Sequence, residues 1–199
     1  KSFIFASSSS VYGERKDVPF KETDKIDNPI SPYAATKKAA ELLSYTYHHL
    51  HNLNITCLRF FTVYGPSGRP DMATHKFITS ILNEKPIDMY GDGTSIRDYT
   101  YVADIVNGII SALDKNLGYE IINLGGSNPI ELKNFISTME KVIGKKAIIN
   151  KMSLQAGDVT KTYADIDKAK RLLGWIPKTS LEEGLRKTFE YIATNKDQK

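Results

Sequence analysis

The sequence has a single cysteine, Cys57 in "NITCLRF", so no disulfide can form within the chain and a disulfide-stapled scaffold is excluded. It has no apolar run near the roughly 20 residues that span a bilayer, and "KSFIFAS" is too short for a signal peptide, so no membrane partner and a cytoplasmic setting are expected. Lys and Arg are scattered, no dense basic block occurs, and the formal charge is only +4, which argues against nucleic acid as a partner. Histidine is scarce: "YHHLHN" gathers His48, His49 and His51, and His75 follows, but no i, i+4 pair joins a Cys or carboxylate in a ligand pattern, so no metal is expected. Internal repeats and low-complexity linkers are missing too.

What is present is the composition of an ordinary globular protein. Hydrophobic residues make up 41% and charged ones 25% of 199 residues, enough for one sizeable domain, or a domain with a small lobe. A mild basic surplus suits a small anionic ligand.

The order of patterns is that of an α/β protein. "SFIFASSSSVYG" reads as a short apolar strand, Phe3 to Ala6, running into a serine-rich turn, which puts hydroxyls at a strand's carboxyl end, where open α/β sheets bind ligands. Ser31 and Pro32 then open a helix, the serine as cap and the proline at its first position. "NITCLRFFTVYGP" reads as one buried strand bounded by Gly-Pro. Further on, "ATHKFITSILNE" is a helix, "PIDMYGDG" a strand and turn, "YVADIVNGIISALDK" a helix, and "YEIINLGG" a buried strand. "ELKNFISTMEKVIG", "DIDKAKRLLGW" and "SLEEGLRKTFEYIATN" add three helices.

Within "NPISPYAATKKAAELL", Tyr33 and Lys37 are i and i+4, so both side chains leave one face of the helix about a turn apart. An ammonium beside a phenol favours the phenolate, which makes a general base possible. Tyr and Lys fall four apart on many helices by chance, so the pair alone assigns nothing. Nor does Ser8 alone, since a turn serine can bond its own backbone.

The context is more specific. Ser8 followed by "YAATK", then "LRFFTVYGP", "GRPDMA", "IRDYTYVADI", "NLGG", "GDVTKTYADIDKA" and "LGWIPKTSLEEGL" in this order, resembles the extended short-chain dehydrogenase/reductase family along essentially the whole chain. The likeness is greatest to its nucleoside-diphosphate-sugar epimerases, and "FFTVYGPSGRPDMA" is similar to UDP-glucuronate 4-epimerases. The resemblance implies that Ser8 bonds the reacting sugar oxygen, that Tyr33 moves the proton, and that Lys37 holds the nicotinamide ribose of NAD. With four serines in a row, Ser7 or Ser9 stays open for the role of Ser8. The resemblance further implies Phe61 near the nicotinamide, Thr62 near the sugar, Tyr90 near the nucleoside, Arg97 on the diphosphate and Asp158 on the uridine ribose.

Chemistry accompanies these assignments. A guanidinium is a fixed cationic fork for a diphosphate, although Arg97 could instead pair with Asp98. Arg69, in the loop after "FFTVYG", could meet a uronate carboxylate or simply face water. Sugar 4,6-dehydratases of this family carry an Asp-Glu pair where this chain has Ser9 and Ser10. Two hydroxyls can bond a C5 carboxylate that two acids would repel.

The implied fold is the C-terminal part of a Rossmann-like parallel sheet plus a smaller α/β substrate-binding lobe. Residues 1–65 would be a remnant of the NAD-binding domain, and 66–199 mainly the substrate lobe, with about 100–126 returning to the first. The implied activity is NAD-dependent epimerisation at C4 of a UDP-sugar through a 4-keto intermediate, UDP-glucuronate to UDP-galacturonate, in a homodimer joined through the helix of Tyr33 and Lys37. Neutral or N-acetylated UDP-hexoses are the alternative substrates, and a non-catalytic nucleotide-sugar-binding module the alternative class. Two departures bear on this. The glycine-rich turn that cradles the NAD pyrophosphate does not occur in the sequence, so the isolated chain is expected to bind NAD weakly and not to turn over. Gln155 stands where some related epimerases have a phosphate-binding arginine.

Overall fold

The computed structural model describes residues 2–153 and 161–195. In chain order these form β1 (Ser2–Ser8), a 3-10 turn (Ser9–Tyr12), α1 (Pro32–His51), β2 (Asn54–Phe60), β3 (Thr62–Tyr64), α2 (Ala73–Leu82), β4 (Pro86–Tyr90), β5 (Ile96–Arg97), β6 (Tyr99–Tyr101), α3 (Val102–Leu113), β7 (Tyr119–Leu124), β8 (Ile130–Glu131), α4 (Leu132–Ile143), β9 (Ile148–Met152), α5 (Asp167–Leu173) and α6 (Leu181–Thr194).

β1, β2 and β7 form a parallel sheet in the order β1-β2-β7. β2 and the second half of β7 are buried because helices cover the sheet there, while the edge strand β1 is mostly half-exposed. Leu58, Ile122 and Leu124 of the sheet pack with Ile105 and Ala112 of α3, Ala169 and Leu173 of α5, and Trp175. Trp175 satisfies its indole N–H on the Asp104 carbonyl at 2.8 Å. A second core joins α2, α4 and α6 through Phe77, Ile78, Ile81, Phe135, Met139 and Leu185, with Ile87 and Met89 of β4. A third, smaller cluster of Val11, Tyr12, Phe20, Ile26, Phe61 and Ala164 lies beneath the serine turn. Among the described residues no helix is long and apolar enough to cross a membrane.

The start of α1 follows its sequence signal. Ser31 caps the helix, its Oγ accepting from the Ala34 N–H at 3.1 Å, with Pro32 at the first position. The expected single strand over "NITCLRFFTVYGP" is corrected: it breaks at Phe61. Up to Phe60 the chain pairs with β1 and β7, the Phe61 N–H still reaches the Leu124 carbonyl at 3.0 Å, and from Thr62 the backbone pairs with β6 instead. The break lets the second half leave the sheet at its carboxyl edge. Composition could not reveal this, since both halves are equally apolar.

The "NLGG" glycines answer to close packing. A Cβ on Gly126 would lie 2.5 Å from the Tyr99 carbonyl oxygen and 2.6 Å from Asp98 Oδ1, and one on Gly125 would lie 2.5 Å from the Ala164 Cβ. Only glycine lets β7 end against the β5–β6 junction at this spacing.

Candidate functional site

Strands β1 and β2 deliver their carboxyl ends to one side of the sheet, and the candidate site is built there. A cleft of about 330 Å³ is lined by Ser8, Ser9, Ser10, Ser31, Thr62, Arg97 and Thr162, among others. A neighbouring cavity of about 250 Å³ shares Thr62 and Arg97 and adds Arg69, Thr74 and His75. Among the described residues lining either space there are arginines and hydroxyls and no carboxylate.

The four serines divide their duties. Ser7 is buried and donates to Glu41 Oε1 at 2.6 Å. Ser8 caps the 3-10 turn: its Oγ accepts from the Ser10 N–H at 3.2 Å and from Ser10 Oγ at 3.0 Å, which leaves its own proton for another acceptor. Geometry therefore separates Ser7, committed to the interior, from Ser8, Ser9 and Ser10, which open to the cleft.

Tyr33 sits in the first turn of α1 and is 55% exposed. Lys37 Nζ donates to the Ala6 carbonyl of β1 at 2.8 Å and lies 5.6 Å from the centre of the Tyr33 ring and 5.2 Å from that of Phe5. One N–H of the ammonium is thereby spent and two remain. Arg69 is held in its charged form first by Asp71, through Nε–Oδ1 at 3.1 Å and Nη2–Oδ2 at 2.6 Å, and further out by the Tyr33 phenol.

Arg97 gives Nη1 to its own residue's upstream carbonyl, Ile96 O, at 3.1 Å. Its expected alternative partner is elsewhere. Asp98 is buried, and its Oδ2 accepts from the Ser127 N–H at 3.1 Å and the Ala164 N–H at 3.0 Å. Burial pushes this carboxyl up, against backbone N–H groups that pull it down. Asp98 is thus a keystone joining the "NLGG" turn to the strand that carries Arg97.

Phe61 is 3% exposed and packs with Tyr12 and Phe20, ring centres 6.2 and 6.3 Å away, beneath the cleft. Tyr90 ends β4 and lines neither space. Asp158 and Gln155 lie outside the described residues. Two lining residues, Thr162 and His75, escaped the sequence reading as site residues. Thr162 belongs to no periodic segment and is anchored by its N–H on the Ile96 carbonyl at 3.1 Å, while His75 reads as ordinary helix. Among the described residues no cluster of His, Cys, Asp or Glu could hold a metal ion. Burial raises the Cys57 thiol, which is therefore no nucleophile.

Residues 1–188 match the family model described as GDP-mannose 4,6 dehydratase. The chain is 54% identical to a UDP-glucuronate 4-epimerase of Thermodesulfobacterium geofontis over 98% of its own length and 60% of that protein's. It superposes with a TM-score of 0.92 on a UDP-glucuronic acid 4-epimerase from Bacillus cereus solved with UDP-glucuronic acid and NAD, at 42% identity over 97% of this chain and 62% of that one. A UDP-glucose 4-epimerase from Thermotoga maritima, solved with UDP-glucose, gives a TM-score of 0.93 at 33% identity, covering 99% of this chain and 65% of that one. The chain spans about 60% of the length of the curated relatives it matches.

Proposed function

Because the chain belongs to the GDP-mannose 4,6 dehydratase family of short-chain dehydrogenase/reductases, we propose that it is the substrate-handling part of an NAD-dependent UDP-sugar 4-epimerase acting on UDP-glucuronate. The observation that carries this is the cleft lining. Ser9 and Ser10 stand where elimination of water would require an acid and a base, and arginines and hydroxyls line the two spaces. Hydroxyls and guanidinium groups suit a diphosphate and a uronate better than a neutral hexose.

The residues present fit the nicotinamide end of NAD. Lys37, with two donors left after its bond to Ala6 O, would hold the ribose hydroxyls beside Tyr33. When bound, NAD supplies reversible hydride acceptance at the sugar's C4. The chain does the rest. Tyr33 takes the proton of the 4-hydroxyl, and Ser8 donates to the same oxygen. Thr62 and the Ser9 and Ser10 hydroxyls hold the sugar, Arg69 takes its carboxylate, and Arg97 takes the diphosphate. The ketosugar turns over within the cleft, and Tyr33 returns the proton once the opposite face is presented. Phe61 supports the nicotinamide side from beneath; Tyr90 and Asp158 serve the nucleoside.

In this reading residues 1–65 and about 100–126 belong to the nucleotide-binding domain and most of the remainder to the substrate lobe. Two copies would associate through the exposed apolar residues Leu42, Leu43, Tyr47 and Leu50 of α1 and Val106 and Ile110 of α3. Light scattering of the full-length protein, alone and with Leu43→Glu, tests the dimer. Turnover of UDP-glucuronate beside UDP-glucose and UDP-N-acetylglucosamine tests the substrate. Faster conversion of either neutral sugar would overturn the acidic assignment.

A further inference from the structure

Beneath Ser8 a closed polar network crosses five elements. Glu41 of α1 and Arg59 of β2 are each 1% exposed and meet as a two-pronged pair, Nε–Oε1 and Nη2–Oε2 both at 2.8 Å. Ser7 of β1 adds its hydroxyl to Glu41 Oε1 at 2.6 Å. Arg59 Nη1 donates to the Tyr12 hydroxyl at 3.0 Å, and the Tyr12 ring stacks 4.9 Å from the guanidinium. Tyr12, whose phenol burial pushes up to about 12, keeps its proton and donates it to Asn123 Oδ1 of β7 at 2.7 Å. Asn123 closes the network on the Phe20 and Asp165 carbonyls. Burial opposes the charge on Arg59, but its bonds to Glu41 outweigh this and keep it charged.

Stability does not account for such a pair. Taking two charges out of water costs about what their attraction returns, and well-packed apolar residues of similar volume often do as well or better. What a forked pair supplies is direction, because both prongs are satisfied at one rotation and one height of the helix. The positions matter here. Glu41 follows Lys37 at i+4 and Tyr33 at i+8 on the same face of α1, and Ser7 directly precedes Ser8. A slip of one residue moves a helix by about 1.5 Å and turns it by about 100°, and a misplacement of about 1 Å can cost about a hundredfold in rate.

We propose that Glu41 and Arg59 are positioning residues whose buried pair sets the register of α1 on β1 and so aims Tyr33 and Lys37 at the sugar oxygen held by Ser8. The inference rests on the assignment of those three residues to the reaction.

The test uses the full-length protein with the double substitution Glu41→Leu and Arg59→Met. Expected are a melting temperature at or above the parent's, a KM for UDP-glucuronate within about threefold, and a kcat lower by at least about tenfold. Amide exchange should quicken along α1 while β2 and β7 keep their protection. A double variant with parental kcat and parental exchange along α1 overturns the proposal. Should that variant fail to fold, Ser7→Ala decides. A several-fold fall in kcat at constant KM supports the register role, and an unchanged kcat overturns it. A parent that converts no UDP-glucuronate counts against the substrate reading, and the exchange arm then decides the register alone.

Discussion

Ser7 and Ser8 are adjacent in β1 yet face different worlds: Ser7 gives its proton to buried Glu41 at 2.6 Å, while Ser8 accepts from Ser10 at the rim of the cleft. In a strand successive side chains alternate, so one serves the interior and the next the ligand.

Substitution separates the two roles. Ser8→Ala should cost about 0.5–2 kcal/mol of stability, the usual scale for a lost serine cap, and lower kcat by about a hundredfold, the usual scale for a lost transition-state hydrogen bond. Ser7→Ala should cost about 1–3 kcal/mol by leaving Glu41 short of a donor, with only a several-fold change in kcat. Urea unfolding and steady-state kinetics check both.

Arg69 should carry the preference for an acidic sugar. Arg69→Ala removes a charged hydrogen-bond donor and should cut kcat/KM for UDP-glucuronate by about 10–100-fold, and that for UDP-glucose by much less. Asp71 now occupies the same fork, 2.6 Å away. Asp71→Asn should therefore tighten UDP-glucuronate by no more than about a few-fold, since an exposed ion pair is weak. Competition kinetics with both sugars read each outcome.

The buried phenols predict an alkaline limit to stability. Burial pushes Tyr12 and Tyr99 each up to about 12, whereas an unfolded tyrosine titrates near 10. Their neutral forms stabilise the fold fully below pH ~10, and that stabilisation is lost as pH rises through the folded values. Between pH ~10 and ~12 the unfolded chain binds fewer protons than the folded one, so stability should fall by about 1.4 kcal/mol per pH unit for each such phenol. Urea midpoints across this window, with Tyr12→Phe showing a shallower slope than the parent, check the sign.

Gly126→Ala should destabilise by more than the usual surface change, because the new methyl would meet the Tyr99 carbonyl oxygen at 2.5 Å, and backbone yields little. A loss of about 2–4 kcal/mol in urea unfolding is the expected result, in line with overpacking of a tight site.

Much of the fold was legible from periodicity. The capped start of α1, the strand ending in "NLGG", and the helices α2, α3, α4 and α6 follow from apolar spacing, which acts locally and is reinforced by serine caps at α1 and α6. The departure of β3 from β2 at Phe61 was not legible, since both halves share one apolar run and only the pairing with β6 distinguishes them. Short pairings such as β5 with β8 carry too few residues for any period. At the site, the serine turn and the Tyr33–Lys37 spacing stood out as residue types in pattern. The interior duties of Ser7, Glu41, Arg59 and Asp98 did not, because a buried charge looks like a surface charge until its partner, far away in sequence, is in place.

The central claim is that Tyr33 moves the proton of the sugar's 4-hydroxyl. Replacing it by phenylalanine in the full-length protein and following the conversion of UDP-glucuronate is the most direct test. The account predicts a kcat lower by about 10²–10⁴-fold, the scale of a lost general acid–base, with UDP-glucuronate binding retained in calorimetry. Turnover at the parental rate in Tyr33→Phe would contradict it.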